Sequence, residues 1–243
     1  MDTFEKYFPE DGDGTAGFHR ELRSRLPDQG AVLDLGCGDH TQLARYRTSV
    51  RQVWGSDFQQ HPRLAHPEWF RPLHADGVIP FVSESFDVVS CLWVLEHVAQ
   101  PVAFLREVAR VLHPGGRLVV FTVDGRHYVS WVTRLLRCLP HAITQEIIYR
   151  LYGRLHQDTH PTYFRLNTPA QIERAARSAG LRIAGIRRFA NPEYFSFWPP
   201  LRRAAIVADW LLEKFLPGFG RIYLVATLEK PMRRSTIAAK QAA

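Results

Sequence analysis

The 243 residues carry a formal net charge of +7, with 46% hydrophobic and 23% charged positions, which is enough apolar material for one packed core and excludes a chain disordered by default. Three cysteines, Cys37, Cys91 and Cys138, are too few and too scattered for a disulfide framework or a paired-cysteine metal site, so a reducing cytoplasm is the expected location. The acidic start MDTFEKYFPEDGDG lacks the basic flank and apolar run of a signal peptide. The apolar window AAIVADWLLEKFL is broken by Asp209, Glu213 and Lys214, so no transmembrane helix is expected.

From residue 16 onward strand and helix signals alternate, the pattern of a parallel sheet with helices on both faces. AGFHRELRSRL reads as a helix within an N-terminal segment at 1–28, AVLDLGC as the first strand, QVWGSDF as the second and RPLHADG as a short third. SFDVVSCLWV, nearly continuous in apolar character, suits a fourth strand covered on both faces. PVAFLREVARVL aligns Val102, Leu105, Val108, Ala109 and Leu112 in one helical stripe, and the breaker HPGG should end it before a fifth strand, GRLVVFTV. Residues 126–166 interrupt the rhythm and read as a helical insertion, with Ile143, Ile147, Leu151 and Leu155 on one face. At TPAQIERAARSAG the alternation resumes: Thr168 can cap the helix, Pro169 suits its first turn, Gln171 completes a capping box and Gly180 ends it. LRIAGIRRF and RIYLVATLE follow as late strands around the helix candidate LRRAAIVADWLLEKFL. A single domain over 1–231 with a flexible tail at 232–243 is expected.

The functional signal begins at VLDLGCGDH. Glycines at the C-terminal end of a first parallel strand let a ligand approach the backbone, and the crevice of an open α/β sheet lies at such strand ends. The run Gly36-Cys37-Gly38-Asp39-His40-Thr41 lacks the third glycine of a dinucleotide fingerprint. Two more acids accompany Asp34: Asp57 ends the second strand, where a carboxylate can accept both hydroxyls of a ribose, and Asp76 follows the third, where it can accept an adenine amino group. Turn or capping aspartates account for either acid alone. They do not account for acids at three successive strand ends.

VLDLGCG, GSD, HADG, FDVVSCLWVLEHV and FLREVARVLHPGGRLVV, in that order, resemble the class I S-adenosylmethionine-dependent methyltransferases, in particular the methyltransferase-11-like group. The resemblance covers residues 30–123 and implies a Rossmann-like α/β fold: a seven-stranded sheet with its last strand antiparallel, and S-adenosylmethionine as cofactor above the first strands. Carried over by position, it implies Asp34, Gly36, Cys37, Gly38 and His40 around the methionine part, and Asp57 with Phe58 at the ribose. Ala75, Asp76 and Gly77 would meet the adenine, and Cys91, Leu92 and Trp93 the sulfonium side. His40 departs from the glycine usual at or beside that position, so it is either a donor to the methionine carboxylate or an obstruction.

Glu96-His97 follows the fourth strand. In the ubiquinone-biosynthesis O-methyltransferases a similar segment is associated with a metal, using another glutamate where this chain has Trp93, so no metal is expected. Glu96 and His97 read first as loop-holding residues, with His97 as an alternative general base. The insertion adds His127, Tyr128, His156, His160, Tyr163 and Arg165; His160 and Tyr163 are the acceptor-side candidates, since histidine can take a hydroxyl proton near neutral pH. Tyr7 and Phe8 are candidates for an N-terminal lid.

The resulting expectation is O-methylation of a small-molecule acceptor: a secondary metabolite, a lipid-like or a glycan-like compound. RNA methylation is an alternative raised by the charge, but Arg182, Arg187, Arg188, Arg202, Arg203, Arg233 and Arg234 come without an RNA-binding signature, and a nucleic-acid partner is not expected. A non-catalytic cofactor- or partner-binding protein is the other alternative. The basic, aromatic C-terminal third, including NPEYFSFWPP, raises peripheral membrane contact beside its plainer reading as core packing.

Overall fold

In the computed structural model, residues 2–11, 13–39, 43, 46–136, 143, 161–191 and 195–232 are described. Six strands, β1 (Ala31–Leu35), β2 (Gln52–Ser56), β3 (Phe86–Leu92), β4 (Leu112–Val123), β5 (Arg182–Phe189) and β6 (Tyr223–Glu229), form one sheet in the order β2-β1-β3-β4-β6-β5. Its parallel pairings run from β2 to β4, and β6 lies antiparallel to both β4 and β5. The expected antiparallel last strand is therefore present.

Alternating side chains divide the interior between the two faces. Leu33, Val89, Val120 and Ala226 enter one core, built against α3 (Pro101–Val111) and α5 (Pro169–Ser178). Val32, Val88, Val119, Phe121 and Val225 enter the other, which meets Phe18 and Leu22 of α2 (Gly14–Arg23) together with Leu43 and Tyr46. The capping box of α5 forms as expected, Gln171 N–H donating to Thr168 Oγ1 at 3.2 Å and Thr168 N–H to Gln171 Oε1 at 3.1 Å. Gly180 follows the helix at φ +78.

Two expectations need correction. RPLHADG is not a third strand: the residue before it, Phe70, makes an isolated parallel bridge to Gly55, and its own backbone adds hydrogen bonds from Arg71 N–H to Gly55 O and from Leu73 N–H to Asp57 O. Pro72, between those two donors, has no N–H to offer a further strand, so this edge is blunted; among the described residues the sheet has six strands rather than seven. HPGG does not separate helix from strand either. β4 begins at Leu112, opposite Phe86, and His113–Gly116 are an irregularity inside it, with Gly115 at φ +83.

The remaining elements cover the C-terminal edge of the sheet. α1 (Thr3–Tyr7) packs on α6 (Pro199–Phe215): Tyr7 lies 5.2 Å from Trp210 between ring centroids, and Phe8 joins Ala190 and Ile206 in a third small core. The two expected lid residues are thus packed against α6. The 126–166 segment starts as helix α4 (Tyr128–Leu136). Ile147, Leu151, Leu155, His156 and His160 lie outside the described residues, as do His40, Cys138 and 233–243.

Candidate cofactor and acceptor site

The chain leaves β1 toward β2 and returns on the other side as β3, so the strand ends Gly36–Gly38, Asp57–Phe58 and Leu92–Trp93 surround the switch point of the sheet, where open α/β sheets hold ligands. The glycine turn is sterically fixed. Gly36 has φ +76, and a Cβ there would collide with Val94 Cγ2. Its N–H and that of Cys37 both donate to Ser56 O, binding the turn to the end of β2. Gly38, at φ +51, faces open space.

Asp57 is the acid most directly joined to this turn. Its Oδ2 accepts Gly38 N–H at 3.0 Å and its Oδ1 accepts Phe58 N–H at 2.7 Å, which fixes the carboxylate while leaving each oxygen a further lone pair. Phe58 is 60% exposed beside it. Asp76 is exposed on its turn, accepting Val78 N–H at 3.1 Å, and Gly77 at φ +85 again faces open space, next to exposed Ala75.

Asp34 is different. Its register puts it beside Ser90 on the α2 side of the sheet, and Ser90 Oγ donates to Asp34 Oδ1 at 2.9 Å. Burial pushes its carboxyl up to about 7 despite that hydrogen bond, with the charges of Asp57 and Asp39 adding to the effect. Burial likewise holds the thiols of Cys37 and Cys91 far above their ordinary range, so neither is a nucleophile. The Cys91 side chain is fully enclosed in the core.

Trp93 stands at the rim in the left-handed region, φ +61, a conformation that a bulky residue adopts only when its surroundings impose it. Its N–H donates to Phe121 O at 3.0 Å, and its ring meets Phe121 at 4.5 Å and Tyr223 at 5.1 Å. The indole is 36% exposed, and Leu92 beside it is half-buried.

Glu96 and His97 join the loop after β3 to the segment before α5. The buried Glu96 accepts Thr122 Oγ1–H at 2.8 Å, its carbonyl accepts Tyr163 N–H at 2.7 Å, and the His97 ring binds Pro161 O through Nδ1 at 2.8 Å. Arg165 donates to Ala99 O and lies over the Tyr163 ring, which is 44% exposed. Tyr163 and His97 are thereby brought to one loop pair. Among the described residues no group of three or more His, Cys, Asp or Glu side chains has the arrangement of a metal site.

Sequence reasoning named His127 but missed the charge pairs on the other half of the rim. Asp124, the acid directly after β4, is fully buried and paired with Arg126 at 2.5 Å. Arg221 binds Asp11 at 2.9 Å and Glu213 at 2.5 Å, while Asp11 also accepts Ala190 N–H and Glu213 accepts Gly218 N–H. Arg188 approaches Asp124 at 3.7 Å, and burial together with the neighbouring Arg126 cation disfavours its charge. His127 and Asp209, 3.2 Å apart and both buried, tie the start of α4 to α6. Asp124 had the signal used for Asp57, an acid at a strand end. Its partners had none.

Comparison with known proteins agrees with this geometry. Residues 33–120 match the family described as Methyltransferase domain. A ubiquinone biosynthesis O-methyltransferase of Caulobacter sp. (strain K31) is 34% identical over 119 residues, 45% of this chain and 47% of that protein, so the chain spans about half the length of such curated relatives. The S-adenosylmethionine-dependent methyltransferase of Mesorhizobium loti shares the fold with a TM-score of 0.56 at 18% identity, over 90% of this chain and 98% of that one. The [4+2]-cyclase SpnF shares it too, with a TM-score of 0.54 at 17% identity over 90% and 81% of the two chains. Fold alone therefore leaves the reaction open. The glycine turn and the sheet order thus coincide with a match of residues 33–120 to the methyltransferase domain family, and the chain shares the fold of S-adenosylmethionine-dependent methyltransferases.

Proposed function

We propose that the chain methylates a hydroxyl of a small-molecule acceptor, using S-adenosylmethionine. The observation that carries the reading is Asp57, locked at the end of β2 by Gly38 and Phe58 N–H with lone pairs remaining for ribose hydroxyls. Open space over Gly38 and Gly77 fits the same group. When bound, S-adenosylmethionine supplies an electrophilic sulfonium methyl, so the protein's work is alignment of the acceptor and removal of its proton.

Trp93 and Tyr223 offer an apolar wall to the acceptor side, and Tyr163 a phenol. Because a carbonyl only accepts, the His97–Pro161 hydrogen bond requires a proton on Nδ1, which leaves Nε2 as the basic nitrogen of the neutral ring. His97 is thus in the tautomer of a general base. The naming of relatives as O-methyltransferases supports oxygen as the target, and secondary-metabolite, lipid-like and glycan-like hydroxyls are the acceptor classes proposed. Incubation with labelled S-adenosylmethionine and metabolite extracts, with and without RNA, should place label on the oxygen of a small molecule. Label in RNA would overturn the acceptor class; cofactor binding without transfer to either pool would overturn the catalytic reading.

A further inference from the structure

α6 has two faces, and only one is used by the fold. Its inner face carries Ile206 and Asp209 into contact with Phe8, Ala190 and His127. On the other side Pro200, Ala204, Ala208, Leu211 and Phe215 recur at helical spacing and are all exposed, Phe215 by 71%. Phe197 and Trp198 extend the stripe before the helix, and Leu216 and Phe219 after it, each exposed by a third or more.

The exposed charges that α6 itself sets beside this stripe have one sign. Arg203 and Lys214 are exposed along its flank. The helix's own acids are turned away: Asp209 is buried against His127, and Glu213 is held by Arg221 and Gly218 N–H. An apolar stripe ending in aromatic residues, flanked by cations of its own helix whose acids are turned away, has the makeup of a helix that lies in a membrane interface. No described helix is long and apolar enough to cross one.

We propose that α6 docks lengthwise on the surface of an anionic lipid bilayer, with Leu211 and Phe215 at the acyl boundary and Arg203 and Lys214 at the headgroup phosphates. A second copy of the chain is the poorer occupant, because apposing two such helices would bring the Arg203 and Lys214 flank of one toward that of the other with no exposed carboxylate of α6 to offset it. This inference is independent of the methyl-transfer reading.

The test is cosedimentation of the full chain with phosphatidylcholine vesicles, with and without phosphatidylglycerol. Binding should require the anionic lipid and weaken with salt. Leu211→Ser with Phe215→Ser, and separately Arg203→Glu with Lys214→Glu, should each lower partitioning by roughly tenfold or more at an unchanged thermal midpoint, since all four side chains are exposed. Arg174→Glu with Arg177→Glu, the same charge change on the exposed side of α5, should lower it much less. Absence of binding, binding indifferent to lipid charge, or equal loss in the two charge variants would overturn the proposal. So would a lipid-free dimer that Phe215→Ser dissolves, which would assign the face to a second copy.

Discussion

The β2-β1-β3 half of the sheet and the β4-β6-β5 half present opposite kinds of rim. In the first, the strands are parallel and the ends are held by backbone: Gly36 and Cys37 N–H on Ser56 O, Gly38 N–H on Asp57. Side chains there are left for a ligand. In the second, antiparallel β6 intervenes and the ends are held by side-chain charges, Asp124 with Arg126, and Arg221 with Asp11 and Glu213. The lesson is that one half satisfies its polar groups locally and keeps acceptors for a bound molecule, while the other spends its charges on itself.

The comparison breaks most sharply at Asp57. Asp57→Ala should weaken S-adenosylmethionine binding by about 1.5–3 kcal/mol, the range for hydrogen bonds to a charged group, as read by calorimetry. Asp57→Asn, which keeps an acceptor for Gly38 N–H, should lose less. Equal affinity in a folded Asp57→Ala protein would remove the acid from the cofactor half.

Arg221→Met addresses the other half. It strands Asp11 and Glu213, and because the guanidinium is partly exposed the expected loss is about 2 kcal/mol in urea denaturation, below the figure for a fully buried pair. Cofactor affinity should not change. A large change in affinity would show that the halves are coupled.

Asp34 sharpens the comparison through pH. Its folded pKa lies above its unfolded value, so its cost to stability is absent below about pH 4, grows as the unfolded chain ionises and is complete above about pH 7. Asp34→Asn should therefore gain stability relative to the native chain as pH rises across that window, measured by urea unfolding at a series of pH values. A pH-independent difference would contradict it. The smallest expected effect is none: with Trp93 where the resemblance would put a metal-associated glutamate, and no metal-type cluster of His, Cys, Asp or Glu among the described residues, turnover should survive EDTA. Loss on chelation, restored by magnesium or calcium, would reassign Glu96 and His97.

What the sequence made legible follows this same division. Gly36, Gly38 and Asp57 were readable because the constraint on them is local, a positive φ or a strand end within a short motif. The Arg221–Asp11 pair was not, since nothing in either neighbourhood names a partner at the far end of the chain. RPLHADG was misread because its apolar and turn signals fit a strand, whereas its contact with β2 stops at an isolated bridge before it and two backbone hydrogen bonds. HPGG was misread for the opposite reason: β4 tolerates the irregular start because Gly115 N–H finds Lys230 O and Lys230 N–H finds Gly116 O on the neighbouring strand.

The reversed direction of β6 has a practical side. Tyr223, where it begins, stands at the ligand edge, whereas Glu229 and Lys230, where it ends, stand beside Arg117 and Gly116 at the opposite edge. A label, bead or fused protein attached beyond Lys230 would be anchored across the full height of the sheet from Trp93 and Asp57.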